Sequence, residues 1–351
     1  MKHNFGAGPC ILPQDVFKQA ADAVLDFNGL SILEVSHRSA DFVKVMDEAR
    51  ENVKKALNVP EDYTVLFLQG GASLGFLISA MNMAGKHKKA AYINTGTWAT
   101  KAIKEAKNAG LEVVEIASSE DKNFNYIPEN FSIPEDIDFV HFTSNNTIFG
   151  TQFKTYPDTN KPLVCDMSSD IFSKEIDVSK FALIYAGAQK NLGPAGATLF
   201  IVKNEFLGKS DLDNIPTYLD LNVHAKKDSM FNTPPVFSIY VANLNLKHLL
   251  SNGGVKSIQA KNEEKARLIY EEIDNNPNFE GTTAINDRSL MNVTFKLTDE
   301  SKKEAFDQLW NDAQIVGLKG HRSVGGYRAS MYNALEVESV KVLVDTMRKL
   351  K

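Results

Sequence analysis

The chain has 351 residues, 43% hydrophobic and 24% charged, with a formal net charge of -5. That balance excludes a disordered polar chain and a general nucleic-acid surface, while the length leaves room for two domains. Its two cysteines, Cys10 and Cys165, have no paired spacing, which excludes a disulfide framework or a cysteine-based metal centre; no metal is expected. The start, Met1-Lys2-His3-Asn4-Phe5-Gly6, has no apolar secretory core. No apolar run approaches the roughly 18 residues that a membrane-spanning helix needs, so the expected location is the cytoplasm, with no membrane and no nucleic-acid partner.

Phe5-Gly6-Ala7-Gly8-Pro9 is turn-rich, and helical periodicity follows over Gln14 to Phe27. From Ser39 the residues Phe42, Val45, Met46, Ala49, Val53, Ala56 and Leu57 recur at intervals of three and four, the stripe of an amphipathic helix. Strand and helix then alternate. Val65 to Leu68 ends in Gly70-Gly71 before a helix beginning near Ser73, and Ala91 to Ile93 precedes a helix over Trp98 to Asn108. Further strands are expected at Val113–Ile116, Phe139–Phe142, Leu163–Cys165, Leu183–Tyr185 and Thr198–Val202. Apolar strands separated by helices predict an α/β fold, a mainly parallel sheet covered on both faces. After Pro234-Pro235 the pattern becomes helices over Val236–Leu250 and Lys256–Ile273, a strand over Leu290–Phe295, and a helix over Lys302–Asn311. A strand over Tyr327–Met331 and a helix from Ser339 complete a smaller α+β unit. The expected division is a large domain over 14–255 and a small domain made of 1–13 and 256–351.

Lys190 follows an apolar strand among small residues, where a bulky ligand can approach and burial lowers an amine's pKa. Asp166 ends a strand, at the edge where open sheets bind ligands. Gly70-Gly71-Ala72-Ser73 joins strand to helix, and free N–H groups at a helix start hold phosphate. Trp98 can stack on an aromatic ring, and Thr147, Asn232 and Thr233 can donate hydrogen bonds. His37-Arg38, His321-Arg322 and Arg328 offer cationic sites for a doubly anionic substrate. Read singly, each has an ordinary alternative: a loop lysine, an N-capping aspartate, a core tryptophan, a solvated arginine. Together they match what pyridoxal 5′-phosphate (PLP) requires: an amine, a carboxylate against the ring nitrogen, phosphate donors and an aromatic cover.

Four strings carry a resemblance: Glu34-Val35-Ser36-His37-Arg38, Ala186 to Gly196 around Gln189-Lys190-Asn191, Met230-Phe231-Asn232-Thr233-Pro234-Pro235, and Lys319-Gly320-His321-Arg322-Ser323-Val324-Gly325-Gly326. The chain resembles the phosphoserine aminotransferases, class-V PLP-dependent enzymes, from Phe5 to Ser330. The resemblance implies the PLP-dependent transferase type I fold, like that of aspartate aminotransferase, and a homodimer with shared active sites. It makes Lys190 the Schiff-base lysine, Asp166 the ring-nitrogen partner and Trp98 the stacking ring. Ala72, Ser73, Thr147 and Gln189 become cofactor contacts, with Asn232 and Thr233 reaching the cofactor from the neighbouring subunit. Arg328 takes the substrate α-carboxylate, while His37, Arg38, His321 and Arg322 receive the distal anion.

The implied reaction is transamination between glutamate and 3-phosphohydroxypyruvate, giving 2-oxoglutarate and O-phosphoserine in serine biosynthesis. Formation of 4-phosphohydroxythreonine in vitamin B6 synthesis is a second activity of the same kind. Some relatives carry an arginine where this chain has Ser73, and that arginine helps hold the distal anion. The rival readings are another PLP enzyme, such as a cysteine desulfurase or a different aminotransferase, and a catalytically silent binding protein. A nicotinamide dehydrogenase is disfavoured by the missing Gly-x-Gly-x-x-Gly.

Overall fold

The computed structural model describes residues 2–351. In chain order its main elements are β1 (His3–Asn4), α1 (Gln14–Leu25), α2 (Ala40–Leu57), β2 (Tyr63–Leu68), α3 (Gly71–Met83), β3 (Lys89–Asn94), α4 (Thr97–Asn108), β4 (Glu112–Ser118) and β5 (Phe139–Thr143). Next come β6 (Leu163–Asp166), β7 (Leu183–Gly187), β8 (Thr198–Lys203), α5 (Leu221–Ala225), α6 (Val236–Ser251) and α7 (Gly254–Asn275). The chain closes with β9 (Phe279–Gly281), β10 (Asn292–Leu297), α8 (Lys303–Asp312), β11 (Ile315–Val316), β12 (Tyr327–Ser330) and α9 (Val337–Arg348).

A seven-stranded sheet in the order β2-β8-β7-β6-β5-β3-β4 forms the centre. Neighbours from β7 to β4 are parallel, whereas β8 is antiparallel to both β7 and β2. Strands β5, β6 and β7 are buried along their whole length, as strands covered on both faces must be. Alternation divides their side chains. Phe67, Val140, Cys165, Ile184 and Leu199 join α2 and α6 in one core, and Leu66, Phe139, Val164, Tyr185 and Phe200 meet α3 and α4 in another. Helix α2 begins where Ser39 Oγ accepts the Phe42 N–H at 3.3 Å, and its predicted apolar stripe is the buried face.

A third core gathers Phe5 with α7, β10, α8, β12 and α9. It covers an antiparallel sheet of order β12-β10-β9, and β1 pairs in parallel with β11. No helix is long and apolar enough to cross a membrane among the described residues.

Some boundaries differ from expectation. Helix α1 stops at Leu25 because Asn28 and Gly29 take positive φ and close a turn bridging Phe27 to Leu30. Helix α3 starts two residues early, at Gly71, since Gly70 at φ 97° supplies the left-handed turn out of β2. Strand β10 begins at Asn292 rather than Leu290. Ser289 Oγ accepts the N–H groups of Met291 and Asn292 at 2.9 Å each, bending the chain ahead of the ladder.

Candidate active site

The parallel strands all end on one side of the sheet, and there a cavity of about 510 Å³ opens. Thr143 closes β5 and Asp166 closes β6, so both reach the wall from strand ends. Lys190 comes from the connection between β7 and β8. Helix α6 fastens that connection: Asn245 Nδ2 donates to the carbonyls of Asn191 and Leu192 at 3.0 and 2.9 Å. The Cys10 N–H donates to the Gln189 carbonyl at 3.0 Å, and the Cys10 thiol donates to the carbonyl of Lys190. Lys190 is thus anchored through its backbone while its side chain enters the cavity.

Burial lowers the Lys190 amine to about 8, assisted by the charge of Arg328 and opposed by Asp166. Asp166 is itself buried, and loss of water raises its pKa, against the Ser168 hydrogen bonds and the charge of Lys190. The Ser168 N–H donates to Asp166 Oδ1 at 2.9 Å, while Ser168 Oγ accepts the N–H of Gly187 at 3.0 Å. One serine therefore ties the end of β6 to the end of β7.

Trp98 sits in the first turn of α4, with Lys190 Nζ 5.6 Å from its ring centroid. Its Nε1 donates to Thr147 Oγ1 at 3.0 Å. Gly96 makes this possible at φ 140°, because a side chain there would collide with Asn146 and Phe149. The first turn of α3 brings Gly71, Ala72 and Ser73 to the same cavity, with no side chain capping the helix and no acid in that turn. Its free N–H groups and positive dipole end suit an anion.

Arg328, on β12, donates from Nη1 to the Thr147 carbonyl at 2.8 Å and keeps Nε buried without a partner. His321 lines the same space, and its pKa falls through burial and then through the charges of Arg328, Arg322 and Lys101. Arg328 forms no ion pair with a carboxylate among the described residues, so its guanidinium brings an unpaired positive charge to the cavity wall.

The cavity joins Ala72, Ser73, Trp98, Thr147, Asp166, Gln189, Lys190, His321 and Arg328. Within this single chain it does not take in His37, Arg38, Asn232, Thr233 or Arg322. His37 is buried with Nε2 unpartnered; Arg38, Arg322 and Thr233 are exposed. Sequence reasoning passed over Ala7, Gly8, Thr143, Asn145, Ser168 and Ser169, which also line the wall. The polar run Ser144-Asn145-Asn146-Thr147 directly after an apolar strand was the available signal. Among the described residues no group of three or more His, Cys, Asp or Glu side chains is arranged for a metal ion.

The aminotransferase class-V family model matches residues 3–343. A phosphoserine aminotransferase of Flavobacterium psychrophilum is 58% identical, with 100% of this chain and 99% of the relative covered. One from Porphyromonas gingivalis is 55% identical over the same shares of each chain. Among solved structures, the phosphoserine aminotransferase from Bacillus circulans subsp. alkalophilus superposes with a TM-score of 0.96 at 43% identity, covering 100% of this chain and 98% of that one. The fold is therefore the PLP-dependent transferase type I fold that the resemblance implied. The match, from β1 into α9 and across every wall of the cavity, places the chain in the class-V aminotransferase family.

Proposed function

We propose that the protein is a phosphoserine transaminase, moving the amino group of glutamate to 3-phosphohydroxypyruvate in serine biosynthesis, with PLP as cofactor. The observation that carries this reading is one cavity holding a lysine of lowered pKa, a buried carboxylate, an indole face, a helix N-terminus and an arginine. That set fits PLP group by group. Asp166 is a buried acid whose charge calls for a cation, which a protonated ring nitrogen supplies. Trp98 offers a ring face, the start of α3 offers N–H donors for the phosphate, and Thr147 and Gln189 offer further polar contacts. When bound, PLP supplies an aldehyde that exchanges amines and a ring that withdraws electrons from the substrate's Cα.

The protein's own residues do the rest. Lys190 Nζ holds the cofactor and, neutral when free, takes the proton from the substrate's Cα. Asp166 keeps its negative charge against the ring nitrogen. Arg328 orients the α-carboxylate through two parallel hydrogen bonds. His321, with Arg322, His37 and Arg38, receives the distal carboxylate or phosphate, replacing the arginine absent at Ser73. The cysteine desulfurase rival finds no support: Cys165 is buried within β6, and burial pushes the Cys10 thiol up to about 12.

A homodimer completes the reading, with Asn232 and Thr233 of each copy reaching the other's cofactor phosphate. Exposed Phe17, Leu25, Leu30 and Leu33 along α1 and its following loop, and Phe231 beside Asn232, supply apolar surface for it. The division into domains at 14–255 and 256–351, the second joined by 1–13, the cytoplasmic location and the second activity toward 4-phosphohydroxythreonine belong to the same proposal. The test is phosphoserine release from glutamate and 3-phosphohydroxypyruvate by the native protein and by Lys190→Ala. A native protein that stays inactive with PLP bound removes the substrate; a variant with full turnover removes the chemistry.

A further inference from the structure

Asn145 and Asn292 are both buried, and they meet side chain to side chain. Asn145 follows β5 and lines the cavity; its Nδ2 donates to Asn292 Oδ1 and to Ser169 Oγ, each at 2.8 Å. Its Oδ1 accepts from Ser289 Oγ, and its backbone carbonyl accepts from Ser169 Oγ at 2.7 Å. Asn292 opens β10, and its Nδ2 donates onward to Ser330 Oγ at 3.0 Å and to the Tyr332 hydroxyl at 3.3 Å. Tyr332 in turn donates to the carbonyl of Ala7, another wall residue, at 2.9 Å. Both amide N–H groups of each asparagine have acceptors, and both amide oxygens have donors.

These bonds join five stretches of chain: the loops after β5 and β6, strands β10 and β12, and the N-terminal segment. Two of them neighbour groups assigned above, Asp166 to the cofactor's ring nitrogen and Arg328 to the substrate's α-carboxylate. Ser169 stands three residues after Asp166, and Ser330 stands two residues after Arg328 on the same strand. Strand register puts Asn292 opposite Ser330 and Thr294 opposite Arg328, so the amide pair grips the strand beside the guanidinium. A saturated buried network has one low-energy arrangement, because any shift leaves a desolvated donor or acceptor unpaired.

We propose that Asn145 and Asn292 are positioning residues that set the distance between the Asp166 side of the cavity and the Arg328 guanidinium, and so the fit of the amino acid's α-carboxylate. This rests on the assignment of Arg328 to the substrate. Lys190, Asp166, Trp98 and the start of α3, assigned above to the cofactor, make none of these hydrogen bonds, whereas Arg328 shares a strand with Ser330, so the pair governs substrate affinity more than cofactor affinity.

The experiment measures steady-state kinetics, PLP dissociation constants and thermal midpoints for holoenzyme carrying Asn292→Ser, Asn145→Ser, both together, Ser330→Ala and Arg328→Gln. The asparagine variants are expected to raise KM for glutamate roughly tenfold with kcat changed less than about threefold, since small misplacements are costly in an oriented site. PLP affinity stays as in the native enzyme, and the double variant is no worse than the poorer single one. Ser330→Ala, which keeps the fold if the asparagine variants do not, shifts KM in the same direction. A lowered thermal midpoint with native KM in the variants overturns the proposal, as does loss of PLP affinity in parallel with KM. An unchanged KM in Arg328→Gln instead defeats the substrate assignment itself.

Discussion

The indole Nε1 of Trp98 donates to Thr147 Oγ1 at 3.0 Å, and the same Thr147 gives its carbonyl to Arg328 Nη1 at 2.8 Å. One residue thus holds both the indole assigned above to the cofactor and the guanidinium assigned to the substrate. Thr147→Val keeps the volume and removes only the hydroxyl. It is expected to weaken PLP binding about fivefold, the worth of one hydrogen bond near 1 kcal/mol, while the backbone contact to Arg328 survives. Absorbance titration of the apoprotein measures it; an unchanged dissociation constant refutes the role of the hydroxyl.

The Lys190 amine, lowered by burial to about 8, reacts only when neutral. The rate at which apoprotein captures PLP is therefore expected to climb from pH 7 to 9 and level off above, and stopped-flow absorbance follows it. A flat profile across that range contradicts the burial argument. Lys190→Arg removes the capture at every pH.

Asp166→Asn is expected to separate activity from stability. Turnover falls on the order of a hundredfold or more as the charge against the ring is lost. The apoprotein gains stability at neutral pH, because the native carboxylate is buried and its folded pKa is raised above the unfolded value. Urea unfolding of the two apoproteins at pH 7 decides it, and a less stable variant refutes the electrostatic cost.

Lys265 is fully buried on α7 and donates to the carbonyls of Met331, Tyr332 and Leu335 at 3.1, 2.9 and 3.0 Å. Burial lowers it from 10.5 to about 7. Between those values the unfolded chain holds a proton that the folded chain has released, leaving a neutral amine with two N–H donors for the three carbonyls, and this residue makes stability rise with pH in that window. Below it both states are protonated and the dependence vanishes. Lys265→Met removes the effect, and its stability deficit is expected to be larger at pH 9 than at pH 6. Equal deficits in urea unfolding of holoenzyme at the two values exclude it.

Much of this was legible in the order of residues. Strand ends and their neighbours located Asp166, Lys190 and the Gly70-to-Ser73 turn, since parallel strands bring their carboxyl ends to one edge. Two-residue β1 and β11 and three-residue β9 were silent, being too short for any period to show. Leu290 and Met291 looked like strand because they are apolar, yet their N–H groups are taken by side chains, that of Leu290 by the Gln152 amide oxygen and that of Met291 by the Ser289 hydroxyl. Asn145 and Asn292 lie far apart in sequence, and their meeting depends on how two cores pack, which no local pattern records.

Residues 2–10 form a strap: Phe5 is sunk in the core around β10 and α9, while Cys10 hydrogen-bonds the carbonyl of Gln189 beside Lys190. Enzyme trimmed by a protease after residue 10 would lose a plug from one core and a brace from the backbone of Gln189 and Lys190 in a single cut.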